Sequence, residues 1–250
     1  MVTLWDVTTG EERCTLKGHT GDVHAVAFHP DCKTLASAGG DKTVRLWDLA
    51  TGQERAILER RSEYDNPIAF SPDGSLLACG SSELIQVWEI ATHEERRALE
   101  GHKSFVKIIA FSPDGKTLAS ADVPCGSVKI WDIATAKERA FEAPPWMDDA
   151  DCYILGIAFS PDGKTIALTT FYAIGLWDVT TGKNKAALGW GHRPLDLSIR
   201  CVLDSLGGPF KTKREMLSVA YTPDGSLVAY GMDNTTLERW KVAAVPRNKN

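Results

Sequence analysis

An apolar residue, a tryptophan and an acidic residue recur along this chain at nearly constant spacing, and that recurrence restricts the fold more than any other feature. The copies are Leu4-Trp5-Asp6, Leu46-Trp47-Asp48, Val87-Trp88-Glu89, Ile130-Trp131-Asp132 and Leu176-Trp177-Asp178. Their tryptophans are separated by 42, 41, 43 and 46 residues, and a degenerate sixth copy, Arg239-Trp240-Lys241, follows after 63. A period of this length specifies a supersecondary unit that hides its apolar face against the next copy of itself.

A second landmark keeps the same register: Phe-His-Pro-Asp-Cys from Phe28, Phe-Ser-Pro-Asp-Gly from Phe70, Phe111 and Phe159, and Tyr-Thr-Pro-Asp-Gly from Tyr221. Proline presets one backbone angle and glycine accepts a positive one, so each copy encodes a tight turn. Short apolar runs flank it, such as VHAVAF before and KTLASA after, which predicts two antiparallel strands. The next run alternates apolar and polar residues into the tryptophan (TVRLWD, LIQVWE, SVKIWD), and a Thr-Thr-Gly-like turn leads to a fourth strand such as EERCTL or QERAIL. Four strands in roughly 40 to 45 residues is the arithmetic of a propeller blade.

The chain resembles the WD40 repeat proteins over nearly its whole length, through the Gly-His pairs Gly18-His19, Gly101-His102 and Gly191-His192 and the Trp-Asp pairs at Trp5, Trp47, Trp131 and Trp177. The resemblance implies an all-β propeller and, in each complete repeat, a hydrogen-bonded tetrad of His, Ser or Thr, Asp and Trp. On this reading only one unit has all four, His19, Ser37, Asp41 and Trp47. The next has Glu59-Arg60 in place of Gly-His and Cys79 in the serine position, and the unit from Ile154 to Asp178 lacks the His and the turn Asp. Those two are expected to depend more on apolar packing. The periodic tryptophans are expected in the core, and His24, His29 and His93 read as isolated.

The expected architecture is four complete four-stranded blades, from about Asp22 to Leu188, with partial blades at both ends, as an open arc or an irregularly closed ring. One repeat region would run over 1–242, with a tail at 243–250. The segment Glu12 to Leu16 is able in principle to complete the C-terminal unit, but a piece of a longer propeller fits the surplus strand at Thr3 to Val7 better. Exposed sheet edges then predict poor solubility.

The formal net charge of -5 argues against a phosphate-neutralising surface, and the triplet Lys211, Lys213 and Arg214 reads as a solvated loop. No apolar run reaches the roughly 20 residues that span a bilayer, and the start lacks the pattern of a secretory signal, so a cytoplasmic location is expected. The six cysteines form no CxxC pair, and no motif for a nucleophile, a zinc site or a phosphate loop is present, so neither catalysis nor a cofactor is expected. The acidic group Asp148, Asp149 and Asp151 lacks the glycine spacing of a calcium loop, and no metal site is assigned to it.

Partner proteins or peptides are expected instead, at two long connections leading into first strands. One carries Trp146 with Asp148, Asp149 and Asp151; the other carries Trp190, His192, Arg193, Lys211, Lys213 and Arg214. Aromatic and arginine side chains dominate interface energetics, which makes Trp146 and Trp190 the candidate anchors. The primary reading is an interaction scaffold; the alternative is the regulatory WD-repeat portion of a larger signalling enzyme such as a protein kinase. The repeat itself names no partner.

Overall fold

The computed structural model describes residues 1–62, 67–123, 127–139, 141, 154–170, 173–189, 215–233 and 236–242. All described regular structure is β, arranged as successive sheets in which chain neighbours are sheet neighbours. The first sheet has two strands, β1 (Val2–Trp5) and β2 (Glu12–Leu16). The first full blade follows: β3 (Val23–Phe28), β4 (Thr34–Gly39), β5 (Thr43–Asp48) and β6 (Glu54–Glu59). The second comprises β7 (Ile68–Phe70), β8 (Leu76–Gly80), β9 (Leu84–Glu89) and β10 (Glu94–Glu100). The third comprises β11 (Phe105–Phe111), β12 (Thr117–Val123), β13 (Val128–Asp132) and β14 (Lys137–Arg139). The fourth comprises β15 (Gly156–Phe159), β16 (Thr165–Thr169), β17 (Ala173–Asp178) and β18 (Asn184–Gly189). A three-stranded sheet closes the sequence, β19 (Glu215–Tyr221), β20 (Leu227–Asp233) and β21 (Thr236–Val242). The four complete and two partial blades expected from the repeat are therefore present. Glu12–Leu16 pairs with Val2–Trp5.

The chain forms two compact units, Met1–Asp122 with Trp131–Lys137, and Val123–Ile130 with Glu138–Asn250. Within the first, one apolar layer joins Leu16, Leu35 and Trp47 to Val2, Leu4 and Cys14. A second joins Ala36, Ala38, Val44 and Leu46 of the first blade to Ile68, Leu77, Cys79 and Trp88 of the second. A third joins Leu76, Ala78 and Val87 to Val106, Ile109, Leu118 and Trp131. Within the second unit, Ala167, Ile174 and Leu176 pack on Val219 and Leu227. Each layer is the contact of one sheet with its successor, which is how a repeated unit builds a core that no single copy possesses.

The two sequence landmarks become two kinds of turn at the same end of each sheet. After the tryptophan, the aspartate side chain accepts backbone N–H bonds two and three residues on: Thr8 and Thr9 donate to Asp6, Ala50 and Thr51 to Asp48, and Thr180 and Thr181 to Asp178. This local side-chain capping explains why an acidic residue follows the tryptophan. Between first and second strands, the hydroxyls of Ser71, Ser112 and Ser160 each donate to the aspartate two residues on at 2.6 Å. They also accept the N–H of Leu76, Thr117 and Thr165 at 2.9, 3.0 and 2.9 Å. The Ser71, Ser112 and Ser160 bonds hold Asp73, Asp114 and Asp162 below the ordinary carboxylate range.

In the first blade the turn serine is replaced by His29, which is not isolated. Its Nδ1 accepts the Asp31 N–H at 3.0 Å, so its Nε2 carries the proton and donates to the Gly74 carbonyl of the second blade at 2.9 Å. The ring also meets Phe70 edge-on, with centroids 4.9 Å apart. The same turn holds Cys32 at φ 56°, where Gly74, Gly115 and Gly163 stand at 75°, 69° and 68° in later copies. A left-handed conformation costs a non-glycine residue about 1–2 kcal/mol, partly offset by the greater entropy glycine loses on folding. Cys32→Gly should therefore raise stability by about 0.5–1 kcal/mol, seen as a higher urea midpoint at unchanged slope; a lower midpoint contradicts the strain.

Four periodic tryptophans are core as expected, with Trp47, Trp88, Trp131 and Trp177 exposed by 1, 3, 1 and 0%. Trp5 is not; it is 59% exposed, on a strand with a sheet neighbour on one side only. The degenerate sixth copy also departs from the pattern. Trp47, Trp88 and Trp177 pair with Leu35, Leu77 and Ile166, each four residues beyond the turn aspartate, whereas Trp240 pairs with Ala229, five beyond Asp224. The backbone register of this copy is therefore shifted by one residue from that of the others.

Candidate functional site

Antiparallel succession divides the connections of every blade between two ends. The connections leading into first strands share an end with the turns between second and third strands, and this end is called the top. In the first blade it is organised by His19. Its Nδ1 lies 3.0 Å from both oxygens of Asp41, and its Nε2 lies 2.7 Å from Ser37 Oγ. Trp47 Nε1 donates to the same hydroxyl at 2.8 Å. With an Nδ1–H donated to the carboxylate, Nε2 accepts the Ser37 hydroxyl proton, and every group has a partner.

Asp41 also accepts the N–H of Thr20 at 3.0 Å and the Thr43 hydroxyl at 2.7 Å. The network thus ties the incoming connection, through His19 and Thr20, to the turn into β5. Burial pushes the Asp41 carboxyl up, but the bonds from Thr43, Thr20 and His19 outweigh it and hold the group well below its ordinary value. A depressed folded-state pKa gives stability that is complete above the unfolded carboxyl value, about 4, and is lost as pH falls toward the folded one. Asp41→Asn should cost about 1.5–3 kcal/mol at pH 6, the worth of bonds to a charged group. Urea midpoints of parent and variant should then converge between pH 4 and pH 2.5; a gap independent of pH contradicts the role of the charge.

The third blade contains a second complete tetrad that the sequence reading missed. His102 Nδ1 is 3.0 Å from Asp122, its Nε2 is 2.6 Å from Ser120 Oγ, and Trp131 Nε1 donates to Ser120 at 2.8 Å. The carboxylate comes from β12 itself, two residues after the serine, not from the turn four residues after it. Alternation along a strand places residues 120 and 122 on one face, so this spacing serves equally well. The tetrad is closed to solvent, with the side chains of His102 and Asp122 both 0% exposed.

The second blade does not simply substitute apolar packing for the tetrad. Gln86, 1% exposed, accepts the Arg61 N–H at 2.9 Å and donates to Glu95 at 2.8 Å, and Arg61 Nη2 meets Glu95 at 2.7 Å. Arg60 is buried and donates to the Ser62 carbonyl at 2.9 Å. Burial pushes the Cys79 thiol up to about 12, against the pull of the Arg60 charge, so it behaves as a neutral core group.

Serine, histidine and aspartate in hydrogen-bonded succession also describe a nucleophilic triad. Here Ser37 and Ser120 are each 0% exposed, and their oxygens are occupied by an indole N–H. A nucleophile needs a substrate within reach, so these networks are structural. At the opposite, bottom end a shallow cleft of about 290 Å³ lies between turns of the second and third blades, lined by Asp73, Arg96, Asp114, Lys116 and Asp132. Asp73 and Asp114 there are committed to their own turns. Among the described residues no group of three or more His, Cys, Asp or Glu is placed to hold a metal ion. Trp146, Asp148, Asp149, Asp151, Trp190, His192, Arg193, Lys211, Lys213 and Arg214 lie outside the described residues, as does the tail at 243–250.

Comparison with known proteins agrees with this construction. The WD40 family model, described as WD domain, G-beta repeat, matches residues 10–48, 68–89 and 93–132. DDB1- and CUL4-associated factor 13 of Dictyostelium discoideum is 40% identical over 45 residues, which is 18% of this chain and 10% of that protein. The chain thus spans about a tenth of the length of that relative. Periodic Trp-Asp turns, four-stranded sheets, two His-Ser-Asp-Trp networks and the family match converge on WD40-type repeats, which the family model places at residues 10–48, 68–89 and 93–132.

Proposed function

We propose that this chain is a non-catalytic scaffold that binds other proteins through the top ends of its blades. The observation that carries this reading is the locking of top-end connections by buried networks. His19 and Thr20 are fixed to Asp41, and His102 to Asp122, by bonds to carboxylates shielded from solvent. A surface held in one conformation before binding loses little entropy on binding, which is what a recognition platform requires. The relative from Dictyostelium is named for its association with DDB1 and CUL4, which supports protein association as the general role.

Within this reading Trp146 and Trp190 are the anchors, flanked by the carboxylates of Asp148, Asp149 and Asp151 and the cations of Arg193, Lys211, Lys213 and Arg214. Truncating a buried interface aromatic costs about 2 kcal/mol or more, a factor of roughly thirty in affinity. The double variant Trp146→Ala, Trp190→Ala should lose at least tenfold of the proteins that co-purify with the parent chain, measured by quantitative mass spectrometry. Equal recovery from parent and variant removes these two residues as anchors.

A further inference from the structure

One arginine at the bottom end has lost the partners that its counterparts keep. In the first, second and fourth blades a β-bulge leaves one basic residue of the fourth strand out of the ladder, Arg55, Arg96 and Lys185 respectively. A bulge re-aims its side chain, and the first and fourth blades show where it goes. Arg55 Nε and Nη2 meet Asp48, and its Nη1 donates to Thr34 Oγ1 at 3.1 Å. Lys185 Nζ meets Asp178 at 3.0 Å and donates to Thr165 Oγ1 at 3.2 Å. Thr34 pairs with Asp48 across the ladder, and Thr165 with Asp178.

The second blade changes both acceptors. The pair at this place is Leu76 with Glu89, and a leucine side chain accepts nothing. Among the described residues Arg96 has no hydrogen bond or ion pair; it is exposed and lines the cleft of about 290 Å³ between the bottom turns of the second and third blades. Lys116 lines the same cleft, and its ammonium also has no hydrogen bond or ion pair among the described residues, its charge acting on Asp114 through space. The carboxylates in the lining each commit an oxygen to their own turn, Asp73 to the Ser75 N–H, Asp114 to the Lys116 N–H and Asp132 to the Thr135 N–H. Leu76, Ile133 and Ala134 supply the apolar part of the wall.

We propose that this cleft binds a short aliphatic monocarboxylate. The freed Arg96 fork matches a carboxylate with two parallel N–H bonds, Lys116 adds a second positive charge, and the hydrocarbon tail lies on Leu76, Ile133 and Ala134. Volume sets the size of the ligand: just under the roughly 300–1,000 Å³ of ordinary ligand pockets, the cleft suits a molecule smaller than a nucleotide. Charge sets its valence, because three lining carboxylates oppose any negative charge beyond the one that Arg96 and Lys116 take up. This site is separate from the top-end surface and does not depend on it.

The probe is butyrate, titrated into the full chain at constant ionic strength beside its neutral equivalent butyramide, and followed by NMR at the Arg96 Nε–H and the Gly115 and Ala134 amides. Butyrate should shift these signals saturably, and butyramide at the same concentration at least tenfold less. Arg96→Gln, with an unchanged urea midpoint, should weaken butyrate binding at least tenfold. Glu89→Asp restores the acceptor that holds Arg55 in the first blade and should weaken binding as well; it is the second variant if the first does not fold. Equal shifts at the Arg55 and Arg96 signals, or binding indifferent to both variants, overturn the proposal. Inorganic phosphate that binds as tightly as butyrate, or the peptide acetyl-Gly-Glu-Gly-amide binding at least tenfold more tightly, assigns the two cations to a different anion and also overturns it.

Discussion

Ser120→Ala should destabilise the chain by about 2–5 kcal/mol, although it removes a single oxygen. That oxygen is 0% exposed and is shared by Trp131 Nε1 at 2.8 Å and His102 Nε2 at 2.6 Å. Alanine leaves an indole N–H and an imidazole nitrogen without partners in a site water does not reach, and each orphaned group costs about 1–3 kcal/mol. Relaxation is restricted because His102 is held from its other side by Asp122. Cys79 occupies the same place in the second blade, where a weakly bonding thiol lies 3.2 Å from the Gly80 carbonyl. Cys79→Ala should accordingly cost only about 1 kcal/mol. Urea denaturation followed by tryptophan fluorescence separates the two; equal losses would mean that the tetrad is packing alone.

Gly74→Ala should be the most damaging change at the bottom end. A Cβ at position 74 would lie 2.2 Å from His29 Nε2, on a backbone with φ 75°. Gly115 occupies the same turn one blade later with φ 69°, and its nearest neighbour would be Pro72 Cδ at 3.7 Å, an ordinary contact. The pair therefore separates backbone strain from collision. Gly115→Ala should cost about 1–2 kcal/mol for the left-handed conformation, and Gly74→Ala about 1–3 kcal/mol more for displacing the imidazole and its bond to the Gly74 carbonyl. In the His29→Ala background the excess should vanish, leaving both glycine substitutions equal within about 0.5 kcal/mol. An excess that persists without the imidazole contradicts the clasp between the first two blades.

Much of this architecture is legible in residue order because it rests on local rules. Proline, aspartate and glycine fix the turns, alternation fixes the faces, and a bulky ring every 41 to 46 residues fixes the unit. What escaped depends on which groups meet in space. Asp122 was missed because a carboxylate was sought in the turn, four residues beyond the serine, although two residues along a strand reach the same face. His29 read as isolated because its partner is a backbone carbonyl 45 residues away. Trp5 belongs to the period, yet burial is a property of neighbouring sheets, and β1 has a neighbour on one side only. The second blade's departure at Cys79 was legible; the Gln86, Arg61 and Glu95 network that accompanies it was not, since nothing in the spacing joins those three.

The candidate anchors illustrate a different limit. Trp146 and Trp190 stand out through loop length and composition, which mark a connection as unusual without giving its geometry. The buried networks supply the complementary fact, since they fix His19, Thr20 and His102 in the connections that lead into the first strands of the first and third blades.

The most direct test places benzoylphenylalanine, one position at a time, at Trp146 and Trp190 in the connections leading into first strands, at Lys103 on the top end, and at Thr51 and Lys116 on the bottom end. Irradiation in the presence of co-purifying proteins then shows which end they touch. A scaffold that binds through its top end should give cross-linked species at the first three positions, at least tenfold above those at Thr51 and Lys116. Cross-links confined to Thr51 and Lys116 would contradict it and move the binding surface to the turns.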